Sequence, residues 1–154
     1  DLKLSRGLGD VYKRQGHGKT TLAKAMLAHL QGQGEDAFHV DGDDLRALTT
    51  NVDYSKEGRE ENIRRAQMIA QYLQSKGQTV VVSLVAPYRG LREDFKARAE
   101  VTEVFVHTSE IRGREDKHAK DYEAPISNFI DVDTTSKDVE ACLHEVLEAV
   151  GMKP

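Results

Sequence analysis

Apolar and polar positions change their period several times along the chain, and each change marks an element. Leu22, Ala25, Met26, Leu27 and Leu30 recur near helical spacing, which predicts a helix from Lys19 to about Gln31, ended by Gly32 and Gly34. Ala37-Phe38-His39-Val40 is a short strand leading into Asp41-Gly42-Asp43-Asp44. A long helix is expected over roughly Lys56 to Lys76, stopped by Gly77, with Ser55 as its N-cap and acidic residues in its first turn. Thr79 to Val85 is nearly all apolar, the pattern of a central parallel strand covered on both faces. A helix from about Leu91 to Ala99, a strand at Val104-Phe105-Val106, a short strand at Phe129 to Val132 and an amphipathic helix from Lys137 to Val150 complete the series. Strands alternating with helices predict an α/β fold, a mostly parallel sheet with helices on both faces in a three-layer sandwich.

Residues 1–15 do not fit this rhythm. A buried strand needs a run of β-branched or aliphatic residues, and neither Leu2 to Gly9 nor Val11 to Arg14 supplies one. The segment Asp10 to Gln15 resembles translated adapter sequence, so residues 1–15 read as an atypical, foreign segment outside the fold argument, and residues 16–154 as the domain. A divergent first strand at Gly9 to Tyr12 is the alternative.

Composition narrows the classes of partner. With 154 residues the chain is one domain by length, and 38% of it is hydrophobic against 31% charged. No apolar run approaches the roughly 18 residues of a membrane span, so neither a membrane nor a secretory route is expected. A net charge of −4 argues against nucleic acid as a bulk partner, while leaving room for a small anion in a local basic pocket. Cys142 is the single cysteine and cannot form an internal disulfide, which fits a reducing cytoplasm; its neighbours Val139, Leu143, Val146 and Leu147 make it a buried structural thiol.

Candidate chemistry begins at Gly16-His17-Gly18-Lys19-Thr20-Thr21. It is the back half of the phosphate-loop pattern G-x-x-x-x-G-K-[ST], whose first glycine is replaced here by Lys13. Backbone N–H groups of such a loop wrap phosphate oxygens and the following helix adds its positive end. Lys19 would reach the β- and γ-phosphates, and the Thr20 hydroxyl would serve Mg²⁺. Three further clusters fall after strands, where open α/β sheets bind ligands. Asp41-Gly42-Asp43-Asp44 with Arg46 offers carboxylates for Mg²⁺ or for a proton, beside a guanidinium for an anion. As a turn, the same stretch would use Asp43 or Asp44 as a helix cap. Arg59 and Asn62 lie three apart on one helix face, beside Glu60, Glu61 and Arg65, which read as a solvated charged face. Arg89, in Pro87-Tyr88-Arg89 after the most apolar strand, is placed for phosphate or sulfate or for a simple surface loop.

The order G-x-G-K-T-T, D-G-D-x-x-R, Y-S-x-x-x-R-E-E-N-I-R-R and P-Y-R, continued by Tyr122-Glu123-Ala124-Pro125 and Asp133-Thr134, resembles the adenylylsulfate kinases. The resemblance covers Gly16 to about Thr135. It implies a P-loop kinase that uses ATP and Mg²⁺ to phosphorylate the 3′-hydroxyl of adenosine 5′-phosphosulfate, giving PAPS for sulfate assimilation. It implies ATP binding by Gly16, His17, Gly18, Lys19, Thr20 and Thr21, with Lys19, Asp41 and Asp43 catalytic and Thr20 and Asp43 on the metal. It places the phosphosulfate substrate against Asp41, Gly42, Asp43, Arg46, Arg59, Asn62 and Arg89, with Tyr54 in place of a phenylalanine near the substrate adenine. The transfer it implies is direct and in line, without a covalent protein intermediate. A soluble cytoplasmic homodimer that takes only small-molecule substrates is the corresponding expectation.

Three departures bear on that expectation. Lys13 stands at the first loop glycine. Ala86 occupies a position where many members carry serine, so a phosphoserine role cannot apply there. The stretch from His107 to Lys120 is shorter than the usual lid and lacks its D-P-K-G-L-Y-K-K and F-T-G-I-D segments, leaving Arg112 and Arg114 as candidate phosphate or adenine contacts. A kinase of another small hydroxylated acceptor, or a nucleotide-binding protein without transfer, are the other readings. His17, His107 and His118 lack metal-ligand spacing and read as non-ligands.

Overall fold

The computed structural model describes residues 8–13, 19–109 and 122–153. Its elements are β1 (Leu8–Lys13), α1 (Lys19–Gly32), β2 (Ala37–Asp41), α2 (Gly42–Thr49), α3 (Lys56–Ser75), β3 (Thr79–Leu84), α4 (Arg89–Arg98), β4 (Val101–His107), β5 (Phe129–Asp133) and α5 (Val139–Ala149). The strands form a five-stranded sheet in the order β2-β3-β1-β4-β5, and every neighbouring pair is parallel. The α/β sandwich expected from the alternating pattern is the fold observed.

β3 explains why an all-apolar run signals a central strand. All six of its residues are buried, and successive side chains enter different cores. Val81 joins Leu22, Met26 and Leu30 of α1 and Leu143, Val146 and Leu147 of α5. Val80, Val82 and Leu84 join Leu45 of α2, Ile63 and Ala66 of α3 and Phe95 of α4. Cys142 is a buried free thiol in the first of these cores, as its helical neighbours implied.

β1 is the main correction to the sequence reading, which set residues 1–15 aside from the fold. Leu8–Lys13 is the middle strand of the sheet, with Leu8 to Tyr12 opposite Val80 to Leu84 on one side and Leu8 to Lys13 opposite Val101 to Val106 on the other. Residues 8–13 thus have a place in the sheet, close to the Gly9 to Tyr12 strand of the alternative reading. Backbone pairing on both edges does not depend on side-chain type, so Gly9 and Asp10 are carried by their neighbours despite poor strand propensity.

A second difference is the helix α2 over Gly42–Thr49, of which the pattern gave only Asp41 to Asp44, as a turn with a capping aspartate. Leu45 is buried, but Leu48 is exposed, so the segment shows no apolar stripe to detect. The other boundaries shift by only a few residues. Ser55 caps α3 as expected, accepting from Gly58 N–H at 3.2 Å.

Candidate functional site

The carboxyl ends of β1, β2 and β3 are the edge from which the site is built. β2 ends at Asp41, and α2 begins at the next residue, with no loop between. That abrupt turn needs a small residue at position 42. A Cβ on Gly42 would stand 2.9 Å from Leu84 Cβ, because the start of α2 presses onto the end of β3. Asp41 itself caps α2: its carboxylate accepts from Asp44 N–H at 3.3 Å and from the Ser83 hydroxyl at 2.7 Å. The cap is thus Asp41, rather than Asp43 or Asp44 as the turn reading had it. Asp43 and Asp44 lie exposed in the first turn of α2, where carboxylates suit the helix dipole.

Arg46 leaves the same helix and reaches the loop that joins α2 to α3. Its Nη1 donates to the Asp53 carbonyl at 2.9 Å and to Asn51 Oδ1 at 3.2 Å, and its guanidinium lies 4.2 Å from the centre of the Tyr54 ring. Arg46 and Tyr54, eight residues apart, are therefore one cation–π unit, and the Tyr54 ring is largely exposed. The loop is held from within. Asp53 Oδ1 accepts from Ser55 N–H at 2.9 Å, and hydrogen bonds from the Ser55 side chain and backbone hold the Asp53 carboxyl below its ordinary range. Asn51 Nδ2 reaches over to the Gly58 carbonyl at 3.3 Å.

Asn62, nearly two turns into α3, is only 5% exposed and donates through Nδ2 to the Gly42 carbonyl at 3.3 Å. Its Oδ1 is buried without a protein partner. A buried amide oxygen left unpaired is a cost that a bound donor would relieve. Arg59 is half-buried one turn earlier on the same face. The expected charged face is present beside them, with Arg65–Glu61 at 2.8 Å and Arg64–Glu60 at 3.5 Å.

Arg89 opens α4 and is fastened to the strand of chain before β5. Its Nε donates to the Ala124 carbonyl at 2.8 Å, and its backbone N–H to Glu123 Oε1 at 2.8 Å. Behind it lies a network that the sequence reading missed. Arg92 donates to Glu103 Oε2 at 2.8 Å, to the Ala86 carbonyl at 2.6 Å and to the Glu123 carbonyl at 2.6 Å. Lys96 adds a bond to Glu103 Oε1 at 2.8 Å. Burial alone would lower the Lys96 ammonium, but its hydrogen bonds to Glu103 and Glu93 outweigh that and hold it above its ordinary value. The one available signal was position: Arg92 lies three residues before the buried Phe95, on the same helix face.

Of the phosphate-loop candidates, Lys19 opens α1, Thr20 is half-buried and Thr21 exposed. Gly16, His17 and Gly18 lie outside the described residues, as do residues 110–121, where the expected shortened lid falls with Arg112, Arg114 and His118. His107, read as a non-ligand, pairs with Asp131 at 3.0 Å. Among the described residues no group of three or more His, Cys, Asp and Glu side chains gathers as a metal cluster, and no helix is long and apolar enough to cross a membrane.

The sequence profile of the adenylylsulphate kinases matches residues 13–140. The chain belongs to this family. The adenylyl-sulfate kinase of Lactiplantibacillus plantarum is 34% identical over 154 aligned positions, covering 86% of this chain and 74% of that protein. The adenylyl-sulfate kinase of a Picosynechococcus species is 39% identical over a shorter stretch, 60% of this chain and 53% of its own length. Among solved structures, the APS kinase of Mycobacterium tuberculosis in complex with AMPPNP and APS superposes with a TM-score of 0.81 over 95% of this chain and 98% of that one. At 23% identity that likeness speaks for the fold, a P-loop kinase sandwich. The matched region begins at Lys13, so the family pattern covers every candidate residue from Gly16 to Arg89.

Proposed function

We propose that this chain is an ATP-dependent adenylylsulfate kinase, transferring the γ-phosphoryl group of ATP to the 3′-hydroxyl of adenosine 5′-phosphosulfate to give ADP and PAPS. Membership of the family supports it. The structural observation that carries it is the convergence of Asp43, the Arg46–Tyr54 unit and the unpaired Asn62 Oδ1 around the start of α2. An acceptor with an aromatic base and two anionic groups asks for such a set: a ring to stack on, guanidinium groups for phosphate and sulfate, and a buried amide for orientation.

In this reading Gly16, His17, Gly18, Lys19, Thr20 and Thr21 hold the triphosphate, with Lys19 neutralising charge on the transferred group. Tyr54, Arg46, Arg59, Asn62 and Arg89 hold the acceptor, and Gly42 lets the start of α2 seat against Leu84 so that Asp43 and Arg46 stand beside it. Asp43, exposed at the start of α2, takes the proton from the attacking hydroxyl or orients it. Asp41 has both carboxylate oxygens engaged by Ser83 and Asp44, so it organises rather than accepts. The Thr20 hydroxyl and the Asp43 carboxylate are hard oxygen donors of the kind Mg²⁺ takes, and the bound ion would neutralise phosphate charge. The lone buried Cys142 supports a cytoplasmic setting, and a homodimer is the assembly we assign.

The test is a coupled assay of ADP and PAPS with Mg²⁺-ATP and adenylylsulfate. ADP that forms only with adenylylsulfate, and that is lost in Lys19→Met and Asp43→Asn, supports the proposal. Turnover with another hydroxylated acceptor alone would reassign the substrate. ATP binding without any transfer would remove the kinase activity.

A further inference from the structure

His39 and Ser83, to which the roles above give no purpose, form a hydrogen-bonded chain with Asp41 on the α1-facing side of the sheet. His39 and Asp41 are two residues apart on β2 and so project to one face, and Ser83 stands opposite Asp41 in the register of β2 with β3. Ser83 Oγ donates to Asp41 Oδ1 at 2.7 Å, and His39 Nε2 lies 2.6 Å from the same Oγ. Ser83 is fully buried and Asp41 nearly so.

The direction of the chain follows from its chemistry. A carboxylate only accepts, and a serine hydroxyl has one hydrogen to give. That hydrogen goes to Asp41, so Oγ accepts from His39, whose Nε2 carries the proton. The order is therefore opposite to that of a nucleophilic triad, in which the histidine takes the serine proton. With its hydrogen spent and no exposure, Ser83 is no nucleophile; it is a link. The other Asp41 oxygen takes up Asp44 N–H at 3.3 Å, a long bond that would hold the cap weakly alone. The chain thus runs from the sheet interior into the first turn of α2, the helix that carries Asp43 and Arg46.

We infer that His39 and Ser83 are positioning residues for phosphoryl transfer, acting through Asp41 to fix how the first turn of α2 presents Asp43 and Arg46 to the acceptor. The inference rests on the function proposed above for that site. A serine rotor swings between partners unless its lone pair is engaged, and His39 engages it. The Asp41 carboxylate is then held at one oxygen by a short bond, and the cap at the other oxygen is fixed in plane. A displacement of about 1 Å at a reacting group costs on the order of 100-fold in rate, so a small loosening of this turn is visible in kcat.

The test compares wild type with His39→Leu, Ser83→Ala, their double variant and His39→Gln, in kcat, in KM for each substrate and in melting temperature. His39→Leu and Ser83→Ala are each expected to lower kcat about 10-fold, with KM for ATP changed less than about twofold. A serial chain is broken only once, so the double variant should fall no more than about twofold below Ser83→Ala. The glutamine of His39→Gln keeps an N–H donor and should recover most of the loss. Losses that multiply in the double variant, glutamine no better than leucine, or single variants with wild-type kcat would each overturn the inference. A second readout needs no turnover. Hydrogen exchange of the Asp44 and Leu45 amides should quicken about 10-fold in Ser83→Ala and His39→Leu while the α5 amides stay unchanged. A wild type inactive with adenylylsulfate overturns the proposed function alone, and unchanged exchange at Asp44 overturns this inference alone.

Discussion

Arg92 of α4 and Glu103 of β4 meet inside the protein, Nε to Oε2 at 2.8 Å, with neither side chain exposed. Two buried charges are tolerable only when their remaining donors and acceptors are satisfied. Here the other Arg92 nitrogens take the Ala86 and Glu123 carbonyls, and the second Glu103 oxygen takes Lys96. The pair therefore ties the loop after β3 to the segment before β5, and Arg89 sits between those two pieces of backbone. Arg92→Leu should destabilise the fold by about 3–5 kcal/mol, since it leaves Glu103 with Lys96 alone and two carbonyls without a donor. Arg92→Leu with Glu103→Leu removes both charges and should recover part of that loss. Urea denaturation of the two variants checks the order; a double variant less stable than the single one would show that the Lys96–Glu103 bond outweighs the relief of the buried Glu103 charge.

Gly58 occupies the second place where a side chain is excluded. A Cβ there would lie 2.6 Å from Asp53 Cβ and closer still to the Asp53 carbonyl oxygen, because the 51–55 loop folds back over the first turn of α3. Asn51 is anchored to the Gly58 carbonyl and Arg46 to the Asp53 carbonyl, so the loop and the Arg46–Tyr54 unit move together. Gly58→Ala should cost about 1–3 kcal/mol, as overpacking does. It should also raise KM for the acceptor about 10-fold with little change in KM for ATP. Initial-rate kinetics with each substrate varied separate the two; a rise in both KM values would point to global loosening.

The same loop carries an acid dependence. Hydrogen bonds from the Ser55 hydroxyl and backbone N–H hold the Asp53 carboxyl below its ordinary 3.8, so the folded chain binds that proton less tightly than the unfolded chain. The stabilisation is present above the unfolded value and is lost as pH falls through the lower, folded one. Asp53→Asn keeps an acceptor oxygen and removes the titration. The gap in melting temperature between wild type and Asp53→Asn should therefore be steady near neutral pH and shrink below about pH 4. A gap that is the same at all pH values would mean that Asp53 acts by shape alone.

Sequence pattern carried further for elements than for contacts. β3, α1, α3 and α5 were readable because each buries an apolar run or stripe. α2 was not, since Leu45 alone of its apolar residues above alanine size is buried and the helix is held by the Asp41 cap and its seat on Leu84. The acidic turn, Arg46, Arg59, Asn62 and Arg89 were visible as a set through their order along the chain. Their partners were not: Asn51, Asp53, Ser83, Arg92 and Glu103 lie far from them in sequence or inside segments of ordinary composition. A polar residue within an apolar strand, such as Ser83, looks like a small neutral substitution until register sets it beside Asp41. β1 failed for a related reason. Its place between β3 and β4 is set by pairing on both sides, and pairing leaves no mark in a six-residue string with a glycine and an aspartate.

Lys13 lets strand and loop be tested against each other. It is the last residue of β1, paired with Val106, and also stands where the phosphate-loop pattern has its first glycine. The two roles want opposite residues. A strand end loses about 0.5–1 kcal/mol when a side chain gives way to glycine, because the unfolded chain gains freedom. A loop that must turn tightly and bring backbone N–H groups to phosphate gains from the same change. Lys13→Gly should therefore lower the melting temperature of the free protein slightly and tighten ATP binding, so that saturating Mg²⁺-ATP restores or exceeds wild-type stability through linkage. Calorimetry with and without nucleotide reads both effects at once. A variant that is less stable and binds ATP no better would show that position 13 serves the strand only, and that a glycine there adds nothing to the loop.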